Sequence, residues 1–180
     1  MNPRPSLRRG LPALLLVLAG VALAADENPA ISVRMSPARS FNLQLAGDEV
    51  FSANVQLHFG PKQIRGRILG QDTLLQKGEK ELGGVIGARP ARLEVRQEGR
   101  TLHAEGTLGR GPVRLRFSPE ELHAYTADCT YELKYVHGRY EGPRSCASTL
   151  APPVQVALPE AFFQRSAPEQ ALLLLLALSS

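Results

Sequence analysis

Between Phe41 and Val136, apolar and polar residues alternate in short runs separated by turn-forming residues, the period-two signature of half-buried β-strands. Phe41, Leu43 and Leu45 form one run. Phe51, Ala53, Val55, Leu57 and Phe59 form a second, and Ile64, Gly66 and Ile68 follow a Gly60-Pro61 turn. Residues facing each other across an antiparallel pair have a constant index sum, so a hairpin is tested by whether one face stays apolar. With Glu98-Gly99 as the turn, Val95 faces Leu102 and Leu93 faces Ala104, while Glu94 faces His103 and Arg92 faces Glu105 on the other side. With Arg110-Gly111 as the next turn, Leu108, Gly106 and Ala104 face Val113, Leu115 and Phe117, and Thr107 and Glu105 face Arg114 and Arg116. The strand Thr101–Leu108 is common to both hairpins, and both assign it the same dry side.

The meander extends in both directions. An Ala88-Arg89 turn sets Ile86 against Ala91, a loop from Ser118 to Glu121 sets Phe117 against Leu122, and an Ala127-Asp128 turn sets Leu122 against Leu133 and Ala124 against Tyr131. Two echoes run through it: Gly84-Val-Ile-Gly-x-x-Pro-x-Arg-Leu recurs 22 residues later as Gly106-Thr-Leu-Gly-x-x-Pro-x-Arg-Leu, and Leu102-His103-Ala104 is matched by Leu122-His123-Ala124. The dry face interleaves large residues with Ala53, Gly66, Gly84, Ala104, Gly106 and Ala124. Glycine inside a strand marks a sharp bend or a close backbone approach, so the expectation is an all-β fold: an up-and-down antiparallel meander of roughly ten strands, barrel-like or folded over as a sandwich.

The chain ends differently. Ser166-Ala-Pro-Glu169 is a capping box, predicting a helix from about Ala167 to Leu178, and Pro159-Glu160 opens a shorter helix through Phe162 and Phe163. The last helix is apolar almost all round and, at ~1.5 Å per residue, only about 18 Å long, short of a ~30 Å bilayer core. An all-round apolar helix is a buried one, expected across an open end or a face of the sheet. Residues 25–158 thus form the β domain and 159–180 a helical segment packed on it.

Cys129 and Cys146 sit on one hairpin with His137-Gly138 at its tip. In that register Tyr135 faces Tyr140, Lys134 faces Glu141 and the cysteines face each other at a non-hydrogen-bonded pair, where side chains come closest, predicting a disulfide. Pro143 would interrupt the ladder, so a bulge or an edge is expected there.

Composition changes the picture mainly through the amino terminus. Arg4, Arg8 and Arg9 precede an uncharged apolar run from Leu11 to Leu23, and Ala22-Leu-Ala24 supplies the small-x-small pattern of signal peptidase. Residues 1–24 therefore read as a cleavable secretory signal peptide and the mature chain as exported, periplasmic or secreted, with no membrane-spanning segment. The formal net charge of +4 includes those three leader arginines, so residues 25–180 carry 18 basic against 17 acidic side chains, and a basic nucleic-acid surface is not indicated.

No catalytic, metal, nucleotide or cofactor signature emerges. His103 and His123 occupy matching outward positions, and a His–Glu pair is compatible with acid–base work, but an exposed cross-strand ion pair accounts for both. Ser145, Ser148 and Thr149 have no assigned base. Tyr131, Tyr135 and Tyr140 form an aromatic group beside the cysteines that could serve as a ligand or partner surface. An outer-membrane barrel is disfavoured by the helical tail and the charged arginine–glutamate rows. The expectation is a non-enzymatic exported binding or structural protein of the cell envelope whose partner is a protein, or alternatively a barrel carrying a small apolar ligand. Amino-terminal sequencing of the protein exported from a bacterial host should begin at Ala25; a mature chain still starting within residues 1–10 would contradict the leader assignment.

Overall fold

The computed structural model describes residues 28–126, 128–147 and 149–179; the expected leader lies outside them, as does Ala127 of one expected turn. Fourteen antiparallel strands close into one barrel in which sequence neighbours pair all the way round and the first strand meets the last. They are β1 (Ala30–Ser36), β2 (Arg39–Ala46), β3 (Glu49–Phe51), β4 (Val55–Phe59), β5 (Gln63–Ile68), β6 (Gln71–Lys77), β7 (Glu81–Ile86), β8 (Arg89–Glu98), β9 (Thr101–Leu108), β10 (Gly111–Phe117), β11 (Glu121–Thr126), β12 (Cys129–Val136), β13 (Arg139–Cys146) and β14 (Thr149–Ala157). Two helices follow, α1 (Glu160–Phe163) and α2 (Ala167–Leu178).

The barrel form of the expected meander is therefore the one adopted, with fourteen strands in place of about ten. Part of the difference is the run from Phe51 to Phe59, which is two strands. The Ser52 hydroxyl accepts a hydrogen bond from the Asn54 backbone N–H at 3.2 Å, a local turn that breaks the ladder. β3 then doubles back on β4, so Val50, facing Leu57, takes the inward position, and Ala53 is exposed. The flanking strands β1 and β14 close the ring through Val33 and Val156.

Three hairpins lie two residues away from the expected register. Gly87-Ala88, Gly99-Arg100 and Gly109-Arg110 are the turns, so Leu93 faces Gly106, Val95 faces Ala104, and both Val113 and Leu93 flank Gly106. In each turn the glycine takes the first central position with φ between +54° and +62° and the next residue does not share the left-handed region, the φ pattern of a type II′ turn. Expectation had placed these glycines second or outside the turn. A slip of two residues preserves parity, so the dry face is unchanged: Leu93, Val95, Leu102, Val113 and Leu115 are buried and Leu108 packs against them. Elsewhere the expected register is the observed one, including Phe117 on Leu122, Leu122 on Leu133 and Tyr135 on Tyr140.

Pro143 sits at the expected bulge. The register of β13 shifts between Gly142 and Arg144 on its β14 side, where Pro152 and Pro153 also lie, while the β12 side stays in step from Lys134–Glu141 to Cys129–Cys146. The disulfide thus closes across a regular pair, with Cα atoms 4.1 Å apart.

A repeat finer than either sequence echo organises the wall. Leu57 faces Gly66, Leu75 faces Gly84, Leu93 faces Gly106 and Leu115 faces Ala124, and Gly142 lies beside Leu133. Each leucine is essentially inaccessible. At each glycine a Cβ would fall 1.9–2.2 Å from the carbonyl oxygen of the strand before it, at Gln56, Leu74, Arg92 and Glu132. The strands fold so tightly over one another here that no side chain fits, which coils the sheet until it closes.

Fourteen strands spaced ~4.8 Å apart and tilted ~40° enclose a ring about 28 Å across, wider than two layers of inward side chains can fill. Helix α2 occupies that space. It packs against β1 and β2 and against β8, β9, β10 and β11; β2 and β9 stand seven places apart in either direction around the ring, so the helix touches opposite walls. From Ala171 to Leu178 every residue is buried. The wall's outer side instead carries exposed charged residues, among them Arg67, Arg92, Glu94, Arg96 and Arg114, the reverse of the apolar outer belt of a membrane barrel. No described helix is long and apolar enough to cross a membrane.

Gly106→Ala should cost at least about 2 kcal/mol in urea unfolding, because its methyl meets backbone, whereas Gly83→Ala, where nothing lies within 4 Å, should stay within about 0.5 kcal/mol. Equal, small effects would contradict the close-approach account.

Candidate functional site

The two ends of the lumen differ. At the end where α2 begins, two polar side chains meet in the interior. Lys77 ends β6 on the inward side, and its Nζ donates to Glu169 Oε1 at 2.5 Å and to the Gly60 carbonyl at 3.0 Å. Glu169 is buried in the first turn of α2, and its other oxygen accepts the Ser166 backbone N–H at 3.2 Å, the return half of the expected capping box. Removing Lys77 would leave the buried Glu169 carboxylate without its counterion, at a cost of about 3–5 kcal/mol. Arg165 lies over this end, donating to the Gly47 carbonyl and standing 5.2 Å over the ring of Phe59, and an open cleft of about 670 Å³ remains between them and the Lys77–Glu169 pair.

At the other end the lumen is open. A cavity of about 770 Å³ lies beyond the C-terminus of α2, walled by Val55, Ile68, Ile86, Val113 and Leu176. Tyr131 stands over the helix end: its hydroxyl donates to the Leu178 carbonyl at 2.6 Å, and the Ser179 hydroxyl donates to the Leu175 carbonyl at 2.6 Å, so carbonyls left free by the last turn are satisfied. The Cys129–Cys146 disulfide also lines the cavity, since both cysteines share the inward face with Tyr131.

The same face of β13 carries Arg144, opposite Tyr131. Its Nη1 donates only to the Met35 sulfur, at 3.0 Å, and its Nε is a buried donor with no hydrogen-bond partner among the described residues. A buried donor left without an acceptor costs about 1–3 kcal/mol, more when the group is charged. Arg89 and Arg110 stand in the same cavity wall, and among the described residues no carboxylate lies within ion-pair distance of them or of Arg144; Asp128 is the acidic residue of that lining.

The aromatic group expected from the sequence is divided between these ends. Tyr131 belongs to the cavity. Tyr140 is buried at the far end, packed 5.5 Å from the ring of Phe117, with its hydroxyl donating to the Ser118 carbonyl at 2.9 Å. Tyr135, 5.2 Å from Tyr140, is half exposed at the rim. Burial, with the neighbouring Tyr135 and Glu120 adding to it, pushes the Tyr140 phenol up to about 12.

The histidines lie on the outer wall. His103 faces Arg96 and Arg116, not Glu94, a consequence of the shifted register, and its nearest carboxylate is Glu98 at 3.9 Å. His123 lies between Arg116 and Glu132 as expected, and its Nε2 is 3.0 Å from Glu121 Oε2. That hydrogen bond, against an opposing contribution from desolvation and aided by the charges of Arg116, His123 and Lys134, holds the Glu121 carboxyl below its usual range. Glu121, with Arg116 2.6 Å from its other oxygen, therefore stays ionised at neutral pH and is no proton donor there. Among the described residues no Ser, Thr or Cys side chain hydrogen-bonds either histidine, Ser145 and Thr149 continue β13 and β14 beside the disulfide, and Ser148 lies outside the described residues. No group of three potential metal-ligating residues occurs among the described residues. No protein family, curated protein or solved structure matches this chain.

Arg144 is the site residue that sequence reading passed over. The signal was present: the hairpin register that pairs Cys129 with Cys146 also places Arg144 beside Tyr131 on the dry side, where an arginine calls for a partner.

Because the folded phenol of Tyr140 titrates above the unfolded value of 10, its contribution to stability is complete below pH 10 and is lost as pH rises from 10 through about 12. Absorbance titration of the tyrosinates should show a late step near pH 12 that Tyr140→Phe removes; a Tyr140→Phe profile identical to that of the parent would contradict it.

Proposed function

We propose that the mature chain is an exported, soluble, non-enzymatic binding protein of the cell envelope, and that it carries a small apolar ligand in the open end of the barrel. The cavity beyond α2 is the observation that carries this reading. Its volume of about 770 Å³ falls within the ~300–1,000 Å³ of small-molecule sites, and its wall joins aliphatic side chains to polar ones, the arginines Arg39, Arg89, Arg110 and Arg144 among them. The outer histidines favour no reaction, because their neighbours are arginines and ionised carboxylates on a solvated face. The disulfide on the cavity wall is in keeping with an oxidising compartment outside the cytoplasm.

A neutral environment-sensitive dye such as Nile red should bind saturably with one site per chain, and Val113→Trp, which fills the cavity, should abolish that binding while the melting temperature stays level or rises. Unchanged dye binding in Val113→Trp would show that the dye sits elsewhere and remove the support for a carrier.

A further inference from the structure

Among the described residues, two partly buried cationic side chains of the wall reach into the lumen, one near each end. Lys77 has its counterion built into the fold, the Glu169 carboxylate on α2 at 2.5 Å. Among the described residues Arg144 has none: its Nε is buried and unpartnered, and the hydrogen bond it makes goes to a thioether sulfur, a weak acceptor. Four guanidinium groups line the void, and Arg144 is the least exposed of them, with Arg39, Arg89 and Arg110 in the same wall. It is held in place by its position two residues from the disulfide and opposite Tyr131 on a regular strand pair. A guanidinium has a planar fork of donors that matches the two oxygens of a carboxylate or phosphate. The negative end of the α2 dipole, which would oppose an anion here, is muted because Tyr131 and Ser179 already donate to its last carbonyls.

We infer that the cavity ligand is an anionic single-chain amphiphile, whose acyl or alkyl chain lies along Val55, Ile68 and Ile86 and whose acidic head completes the hydrogen bonding of Arg144. This inference rests on the carrier reading of the same cavity and adds the charge of the ligand. A fatty carboxylate and an alkyl phosphate share the required chemistry, and the ligand set below separates them.

Displacement of bound Nile red from the full mature protein by dodecanoate, dodecyl phosphate, dodecanol and dodecyltrimethylammonium tests it. At least one anion should bind tenfold or more tightly than dodecanol, and the cation more weakly than dodecanol; the tighter anion identifies the head group. Arg144→Gln should remove most of that preference while changing dodecanol affinity less than twofold. Comparing head groups on the unmodified protein keeps the test decisive even where Arg144→Gln folds poorly. Equal affinity for dodecanoate, dodecyl phosphate and dodecanol would overturn the anionic inference and leave the carrier reading standing; displacement by none of the four would overturn both.

Discussion

A closed ring of fourteen strands cannot fill its own interior, and the rest of this molecule follows from how that interior is filled. Inward leucines from the wall reach partway, and α2 supplies what is missing. This is why Ala171–Leu178 lacks a polar face: a helix with the sheet on every side has no solvent to address. It is also why the few polar groups inside are placed with care. Glu169 enters the lumen only with Lys77 across from it, and Tyr131 reaches in to the last carbonyl of the helix. The wall and the helix depend on each other. Without α2 the inner leucines would face a void, and without the wall α2 would be an insoluble strip of leucine.

The wall closes because it is bent at fixed points. Gly66, Gly84, Gly106 and Gly142 each let one strand settle onto the carbonyl row of the strand before it, opposite a buried leucine. One hairpin breaks the series with Ala124 against Leu115, so the strict requirement for glycine is relaxed there. The repeat is a geometrical one: a large inward residue on one strand and none on the next, which lets the curved wall carry a leucine layer without crowding.

Much of this was legible in the chain, and the losses have identifiable causes. Face assignment was readable because it depends only on parity, which survives a slip of two residues; the Leu93, Val95 and Leu115 face is the case in point. Exact register was lost at Gly87, Gly99 and Gly109 because each stands among several residues able to form a turn, and which two take the central positions is decided by the twist of both strands. Where a loop was anchored on both sides, as at Phe117 and Leu122 or at the two cysteines, register was recovered. The boundaries of α2 were recovered from its capping residues, but its place inside the ring was not, since ring size depends on strand number, and β1 and β14 close the barrel through contacts between the two ends of the sheet. The strand β14 was not singled out within the β domain; it tolerates Pro152-Pro153 because the pair lies at the register shift opposite Pro143, outside the β13–β14 ladder pairs. Of the candidate site, the disulfide was readable and Tyr131 was named, but its partner Leu178 and the vacant acceptor position at Arg144 appear only once the helix end and the wall are brought together.

Taken together, one end of the lumen holds a satisfied ion pair and the other opens around an unsatisfied guanidinium. That asymmetry is the feature from which the functional reading grows, and it stands or falls with the location of α2. Hydrogen–deuterium exchange resolved to single amides measures that location most directly. If α2 lies in the lumen, the amides of Leu172–Leu178 can exchange only when the barrel opens, and their protection should equal that of the central amides of β9, at the free energy of global unfolding. Exchange of those amides within seconds to minutes under native conditions, while β9 remains protected, would place the helix outside the ring and contradict the account.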